Sequence, residues 1–580
     1  LITDASERNH LAQLNLRAGI KAKDSTAYGA AVTYLQAGID LLPERPWQTL
    51  YDLTYALHME QMMCQYLARN PDEAERLFQV ILTNAASKTD QAKAYNAMVI
   101  LYTNMRTAKD AAILGIKGLN LLGIRVSIDI GEMAVLRELI EVKFRLRKIP
   151  LESILDQPRM QDEDKINCMD LLINTGTPAY FVNPNLYAVL VLKGVILCLK
   201  HGNHPGAAVA FIALGTIIQT AFGDYALGYR IGEMALKLND RLGNKNLAGM
   251  VYHVFAFFIQ HWKEHARKNL GVYRQVYQLS LESGNFVYMG YSVSAAQDCR
   301  LLVGDNLEDI LLESEKYMDL MQRVKDPFIA ARYQENIQLA KALQGLTADR
   351  CSLTGPEFDE EAHLTRLRRE NNTYGLCFTL LYKVKLCYFF GQYEEARRMA
   401  AELDTYIKAH ICTLLVAEHY FYYSMSMAAL LRLKSGPEHL VYKALILRNQ
   451  RRMRTWAQLA PDNFRHKYNL VAAEVMVAKG RYHEAQMLYH AAIQGAMQNQ
   501  YLHEEALACE RLGALYHENE ATDEARVLLQ RAYQRYRAWG AMAKENEILS
   551  RYPDLIRHET NNRPSDTRRD ITSTDSDSRL

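Results

Sequence analysis

Apolar residues recur every three or four positions along most of the chain, and this pattern is most regular between residues 470 and 550. Such spacing places apolar side chains on one face of an α-helix. In the first part of this region a glycine and a tyrosine separate two predicted helices, and small and aromatic residues follow on the inner face of the second. These positions are Gly480, Tyr482, Ala485, Tyr489 and Ala492. Because small side chains let antiparallel helices approach closely, the pattern predicts a helix–turn–helix hairpin.

The same arrangement recurs in residues 507–540, with Gly513 and Tyr516 on one predicted helix and Ala525 and Ala532 on the next. This resembles the tetratricopeptide repeat (TPR) pattern. Further copies are marked by Ala30, Tyr34, Ala74, Phe78, Tyr102, Ala111, Gly391, Tyr393 and Ala396. The alanines at positions 30, 74 and 111 are 44 and 37 residues apart, whereas a regular repeat has about 34 residues. We therefore expect longer helices and an irregular superhelix.

The repeat pattern predicts an all-α protein: a right-handed α-α superhelix, or TPR-like solenoid, with an irregular middle and a disordered C-terminal tail. The predicted divisions are an N-terminal array (1–347, irregular around 127–210), a connecting break (348–372), a C-terminal array (373–556) and a flexible polar linker or tail (557–580). Residues 174–185 are rich in turn formers and predict a loop within the irregular part.

The composition narrows the class of function. The 68 basic and 66 acidic residues give a formal charge of +2, so nothing attracts the chain as a whole to nucleic acid or to an anionic membrane. The nine cysteines form no C-x-x-C pair, and no signal-peptide pattern opens the sequence, which together predict a cytoplasmic location. The longest apolar run, residues 207–222, is shorter than the about 20 residues of a membrane span. We therefore expect no membrane span.

The strongest catalytic candidate is the segment from His261 to His265, which matches the H-x-x-E-H zinc-protease pattern. On one helix the two histidines would share a face and could bind one metal ion. A zinc hydrolase of this kind needs a further carboxylate ligand, however, and five-residue patterns arise easily by chance in a helical chain with 17 histidines. We therefore predict that both histidines are structural and that the chain binds no metal.

Other catalytic patterns are missing from the sequence. It contains no phosphate-binding loop, dinucleotide fingerprint, kinase element or nucleophile elbow. Glu504 and Glu505, and the basic residues of 448–456, are interpreted as solvent-exposed helix faces, so we predict no catalytic residue, no cofactor site and no nucleic-acid partner. What remains is the extended concave surface of a solenoid, which binds a protein or peptide.

Residues 456–555 carry a more specific pattern than the repeats. Its residues include Asn463, Phe464, His466, Lys467, Tyr468, Trp539, Gly540, Ala541 and Lys544. This region resembles the helical part of large signalling proteins. Those proteins join a serine/threonine-kinase-like domain, a predicted ATPase of the AAA/STAND type, a TPR-like array, a GAF sensor and a hybrid histidine kinase.

The resemblance implies that the chain is a catalytically silent relay segment between the ATPase and the GAF sensor of a two-component signalling protein. ATP and Mg²⁺ would then be bound by other domains of the parent, and the adjacent ATPase and GAF/histidine-kinase domains would be partners in cis. Dimerisation of the parent stays open, since histidine kinases are generally dimers. Because the sequence begins at Leu1 and ends in a polar tail, we expect a fragment. The alternatives are a stand-alone TPR scaffold or peptide-binding adaptor and, more remotely, a zinc hydrolase.

Overall fold

The computed structural model describes residues 4–105, 108–324, 326–407, 412–433 and 435–556. Within these ranges the chain forms helices and two isolated β-bridges, and no strand. The predicted polar tail, residues 557–580, lies outside the described residues. The predicted fold class, an all-α TPR-like solenoid, is confirmed by the succession of stacked helices.

The N-terminal helices form consecutive pairs, in which α1 packs on α2, α4 on α5 and α6 on α7. Their bounds are α1 Ala5–Asp24, α2 Tyr28–Asp40, α3 Pro46–Thr49, α4 Tyr51–Leu67, α5 Pro71–Asn84, α6 Lys88–Met105 and α7 Ala108–Leu121. In the first pair the predicted contact positions are wrong by one residue. Tyr34 is 46% exposed and Ala30 is also exposed, whereas Ala31 and Leu35 are buried. The reason is Gly19 on α1, which leaves room for the Leu35 side chain and so fixes the helix rotation.

The middle of the chain is also helical. Its bounds are α8 Glu132–Leu146, α9 Glu163–Val182, α10 Pro184–His201, α11 Ala207–Phe222, α12 Tyr225–Leu242, α13 Lys245–Val254, α14 Asn269–Ser283, α15 Phe286–Val303, α16 Leu307–Arg323 and α17 Pro327–Gln344. The loop predicted at residues 174–185 is wrong, because α9 continues to Val182. Packing overrides the turn-forming composition there: Thr175 lies buried against Gly115 of α7, and Pro178 is buried inside the helix.

Short glycine–Asx turns join several of the middle helices. Gly223 and Gly243 end α11 and α12 in the left-handed region, with φ of +64° and +69°. The side chain of Asp224 accepts the N–H of Leu227, the third residue of α12, at 3.0 Å, and Asn244 accepts that of Leu247 in α13 at 3.4 Å. Each turn therefore caps one helix and starts the next within two residues.

The C-terminal helices form the most regular part of the solenoid. Their bounds are α18 Glu360–Arg369, α19 Thr373–Phe389, α20 Tyr393–Tyr406, α21 Leu414–Leu431, α22 Gly436–Leu459, α23 Pro461–Ala478, α24 Tyr482–Gln498, α25 Leu502–Glu518, α26 Thr522–Trp539 and α27 Met542–Arg551. Helix α18 occupies the second half of the predicted break at 348–372. One hydrophobic core extends from Trp262 through this region to Ile556, and the division into two arrays stays a prediction.

Helix α10 meets the length and composition of a membrane-spanning helix, but half of it is buried among other helices. Its buried side chains include Leu186, Val189, Leu190, Leu192 and Val195. The helix lies between α8, α9 and α11, which is the environment of a core helix in a helical array.

Candidate functional site

The segment after α13 is the least regular part of the middle region. Helix α13 passes into a π-helical turn at Phe255–Ile259, and short 3₁₀ turns follow at Gln260–Trp262 and Ala266–Lys268. The H-x-x-E-H sequence therefore begins inside the first 3₁₀ turn and ends at His265, the residue immediately before the second. The expectation that His261 and His265 share one helical face is wrong, because the helix ends before the first of them.

Both histidine rings are oriented by the backbone. His261 is fully buried, with Nε2 3.2 Å from the Cys412 carbonyl oxygen, and burial lowers the pKa of His261 to about 4. His265 Nε2 lies 2.9 Å from the Asn499 carbonyl oxygen, while its Nδ1 accepts the Arg267 N–H at 3.0 Å. Within the described ranges no three His, Cys, Asp or Glu side chains are grouped to hold a metal ion. These contacts support the structural interpretation of both histidines.

Asn463 at the start of α23 ties this irregular segment to the C-terminal array. Its Nδ2 donates to the carbonyl oxygens of His261 and Glu264, both at 2.7 Å. Its Oδ1 accepts the Ala266 N–H at 2.9 Å and the Tyr501 hydroxyl at 2.8 Å. The side chain is 1% exposed and uses its full hydrogen-bonding capacity. We call this set of four hydrogen bonds the Asn463 clamp.

Trp262 reinforces the clamp from the apolar side. Its indole N–H donates to the Cys412 carbonyl oxygen at 2.9 Å, and only 1% of the residue is exposed. Its ring lies 5.3 Å from that of Trp456 and 5.4 Å from that of Phe464 between centroids. Phe464, one of the residues of the family resemblance, is therefore a packing partner of the irregular segment.

Four buried charged residues form a row along the C-terminal hairpins, and their charges alternate in sign. Lys385 Nζ lies 2.8 Å from one carboxylate oxygen of Glu418, and Lys467 Nζ lies 2.7 Å from the other. Lys467 also contacts Glu504. These residues belong to α19, α21, α23 and α25, the first helices of four successive hairpins, and each is at most 5% exposed. We call this row the ion ladder.

Opposite charges in the ladder stabilise the charged forms of their buried neighbours. Burial alone would raise the pKa of Glu418, but the two neighbouring ammonium groups outweigh it and hold that pKa well below its usual range. Burial lowers the pKa of Lys467 to about 8, because desolvation exceeds the attraction of Glu418. The pKa values of His466 and His503 beside the ladder are lowered far by burial. Both rings are therefore neutral at pH 7.

The end of the ladder meets the turn between α15 and α16. His466 contacts Glu504, and the His503 ring lies 5.2 Å from that of Trp539 between centroids. A Cβ at Gly304 would lie only 2.2 Å from Nδ1 of His503. Asn306 Nδ2 donates to the Ala538 carbonyl oxygen at 2.9 Å. The middle helices thus dock directly on α25 and α26.

The remaining residues of the family resemblance occupy the same junction or its edge. Lys544 is 2% exposed and donates to the Phe389 carbonyl oxygen at 2.7 Å and to Glu510 at 2.8 Å. Ala541 is buried and Gly540 ends α26 with a φ of +84°. Tyr468 lies at the edge, where its hydroxyl accepts from Arg454 at 3.2 Å.

Most of the predicted repeat positions lie buried between paired helices. These are Ala74, Phe78, Ala111, Ala396, Ala485, Tyr489, Ala492, Gly513, Ala525 and Ala532. Tyr102, Tyr393 and Tyr516 are half-buried. Gly391 and Gly480 are exposed turn residues with φ of +77° and +70°. Tyr482 is the first residue of α24, at the turn where the sequence placed it, and it is 42% exposed.

The prediction that Glu504 and Glu505 lie on a solvent-exposed helix face is wrong. The two residues are 1% and 3% exposed. Glu505 accepts from Arg531 at 2.6 Å and from Arg535 at 2.9 Å, so paired cations make burial of the carboxylate tolerable. Sequence reasoning also missed Lys385 and Glu418. The available signal was a charge at an otherwise apolar, inward-facing position of a repeat helix.

The fold and the junction define a protein of the TPR-like helical-repeat class. No protein-family model matches the chain. Over 375 residues, 60% of this chain, it is 23% identical to hybrid signal transduction histidine kinase G of Dictyostelium discoideum. The match spans only 11% of that relative's length.

Two solved structures were also matched. One is a signal transduction ATPase with numerous domains (STAND) that carries a tetratricopeptide repeat sensor, from Pyrococcus horikoshii. It is 12% identical with a TM-score of 0.31, over 86% of this chain and 74% of that one. The other is a circular tandem repeat protein, 13% identical with a TM-score of 0.14, over 95% and 99% of the two chains.

Proposed function

We propose that the chain is a non-catalytic interaction and signal-relay segment of a larger, cytoplasmic signalling protein. Its sequence similarity to part of a hybrid histidine kinase supports a role in signal transduction. The proposed parent carries an ATPase upstream and a GAF sensor with a histidine kinase downstream, together with a serine/threonine-kinase-like domain. ATP and Mg²⁺ belong to those other domains.

The observation that carries this proposal is the ion ladder. Moving one hairpin relative to the next would leave a buried charge without its partner, which costs about 3–5 kcal/mol. The four hairpins therefore resist separate displacement and respond to a load at one end as a unit. The Asn463 clamp extends this unit to the irregular segment after α13.

The buried charges suit a structural role better than acid–base catalysis. Glu418 is fully enclosed between Lys385 and Lys467, and Glu504 between Lys467 and His466. A catalytic carboxylate has to reach a substrate proton within hydrogen-bond distance. At 3% and 1% exposure these two carboxylates face only protein groups.

The first test is to sequence the coding DNA on both sides of this segment. We expect an upstream phosphate-binding loop and downstream GAF and histidine-kinase motifs in the same reading frame. In-frame start and stop codons close to Leu1 and Leu580 would contradict the proposal and indicate a stand-alone adaptor.

The second test uses the longer protein. Nucleotide binding upstream is expected to change autophosphorylation of the downstream kinase, and Asn463→Ala is expected to weaken that response while each catalytic domain keeps its isolated activity. The control is Asn519→Ala, which removes one side-chain hydrogen bond at an exposed position. An unaltered response in Asn463→Ala would contradict the relay.

A further inference from the structure

Five tyrosines from four helices come together in the middle of the array. They are Tyr180 of α9, Tyr187 of α10, Tyr288 and Tyr291 of α15, and Tyr374 of α19. The rings of Tyr180 and Tyr187 lie 5.4 Å apart, and those of Tyr288 and Tyr291 lie 5.7 Å apart. Tyr180, Tyr291 and Tyr374 interact electrostatically with one another, as do Tyr187 and Tyr288. We call this group the tyrosine recess.

The recess is a partly open surface surrounded by protein. Tyr180 is 37% exposed, and the other four tyrosines are half-buried. Even so, burial raises the pKa of Tyr180 and of every other member. Side chains that keep accessible area while protein encloses them on several sides line an indentation. The recess therefore presents aromatic rings to a ligand.

Four hydroxyl groups of the recess have no hydrogen-bond partner among the described residues. They belong to Tyr180, Tyr187, Tyr288 and Tyr291, whose pKa values respond only to burial and to nearby charges or phenols. A buried tyrosine hydroxyl usually finds an acceptor, as Tyr501 does in Asn463 at 2.8 Å. The three half-buried hydroxyls of the recess are not among the fully enclosed atoms that lack a partner, so they stay within reach of a ligand. The recess thus offers free donors beside aromatic faces.

A buried histidine supports the same conclusion. His253 is 7% exposed, and its ring lies 5.9 Å from that of Tyr288 and 5.4 Å from that of Tyr291. Its Nδ1 makes no hydrogen bond within the described part of the chain. The enclosed ring therefore packs against the α15 tyrosines and forms part of the aromatic wall behind them.

The charge around the recess selects the kind of ligand. Besides burial, the charged side chain of Asp326 raises the pKa of Tyr291. The pKa values of Tyr180 and Tyr288 are raised by burial, and that of Tyr288 also by neighbouring phenols. Arg332, close to Tyr374, is committed to Asp298 at 2.7 Å. A phosphate or an acidic peptide would need free cations, so an uncharged ligand with flat apolar surfaces and carbonyl acceptors fits better.

We propose that the tyrosine recess binds a proline-rich segment of a partner protein in the polyproline II conformation. Proline rings stack on aromatic faces, and the carbonyl groups of such a segment are free to accept from the tyrosine hydroxyls. The segment is already extended, so little conformational entropy is lost on binding. This inference rests on the proposed interaction function and names the class of partner.

The test measures binding of a fluorescein-labelled decaproline peptide to the full chain by fluorescence anisotropy. A glycine–serine peptide and an aspartate-rich peptide of equal length are the comparisons. Tyr291→Phe keeps the ring and removes one donor, so affinity is expected to fall about three- to tenfold. Tyr180→Ala also removes a ring and is expected to lose more than tenfold. Tyr34→Phe, at an exposed position on α2, is the matched control and is expected to bind like the unaltered chain.

Three results would overturn the inference. They are no decaproline binding at millimolar concentration, equal or tighter binding of either comparison peptide, and unchanged affinity in Tyr291→Phe. Because Tyr291→Phe alters no packing volume apart from one oxygen, it remains informative if Tyr180→Ala fails to fold. Failure of peptide binding would leave the nucleotide response of the longer protein intact, so the two proposals are tested separately.

Discussion

Replacement of Asn463 by alanine is the sharpest perturbation of the junction. The side chain makes four hydrogen bonds, three of them to the backbone of the segment His261–Ala266. Each contributes about 0.5–1.5 kcal/mol, so the three bonds to the segment are worth about 3 kcal/mol. At about 1.4 kcal/mol per factor of ten, local opening of the segment is expected to become about a hundredfold more frequent.

Native-state hydrogen exchange is the suitable assay, because it reports local opening free energies and needs no two-state unfolding. Peptides that cover residues 260–268 should exchange about a hundredfold faster in Asn463→Ala than in the unaltered chain. Asn463→Asp has the same shape but loses the two N–H donors and brings a carboxylate to two carbonyl oxygens. It should therefore also open the segment, without creating a cavity.

The control for this experiment is Asn519→Ala. Its Nδ2 makes one hydrogen bond, to the Leu515 carbonyl oxygen at 2.7 Å, at an exposed helix end. The expected cost is below about 1 kcal/mol. If exchange of residues 260–268 changed less than tenfold in both Asn463 variants, the clamp would not hold the segment in place.

Three further perturbations test other parts of the account. Lys467→Met leaves two buried carboxylates short of a partner, a loss of about 3–5 kcal/mol that should lower the urea midpoint of unfolding; an unchanged midpoint would contradict the ladder. Gly304→Ala should destabilise more than Gly223→Ala, since both have positive φ but only the first would place a Cβ 2.2 Å from a buried histidine ring. Equal loss of thermal stability in the two variants would be inconsistent with that contact. His253 and His261 have pKa values lowered to about 4 by burial. As the pH falls below about 6.5, these histidines take up protons in the unfolded chain but stay neutral in the folded chain. Each should therefore remove about 2 kcal/mol of stability by pH 5. Equal urea midpoints at pH 7.5 and 5 would refute this.

The sequence allowed the helical class and the strongest hairpins to be predicted because one helical face is marked by small and aromatic residues. Ala485, Tyr489 and Ala492 lie buried as that pattern indicates. The first hairpin was misplaced by one residue because Gly19, on another helix, sets its rotation. A contact of that kind depends on the tertiary structure and leaves no mark in local periodicity.

The ion ladder was harder to foresee for a different reason. A charged residue in a helical repeat normally lies on the solvent face, which is how Glu504 was interpreted. Its burial depends on Lys467, 37 residues away along the chain, and on the stacking of the two hairpins that carry them. Pairing over such a distance follows only once the superhelix has placed the first helices of successive hairpins side by side.

The central claim is that the ion ladder makes α19, α21, α23 and α25 one mechanical unit, and native-state hydrogen exchange of Lys467→Met tests it most directly. The account predicts that loss of this charge on α23 lowers protection in all four helices together. Lower protection confined to α23 would contradict it, because each hairpin would then respond alone and could not relay a displacement to the next.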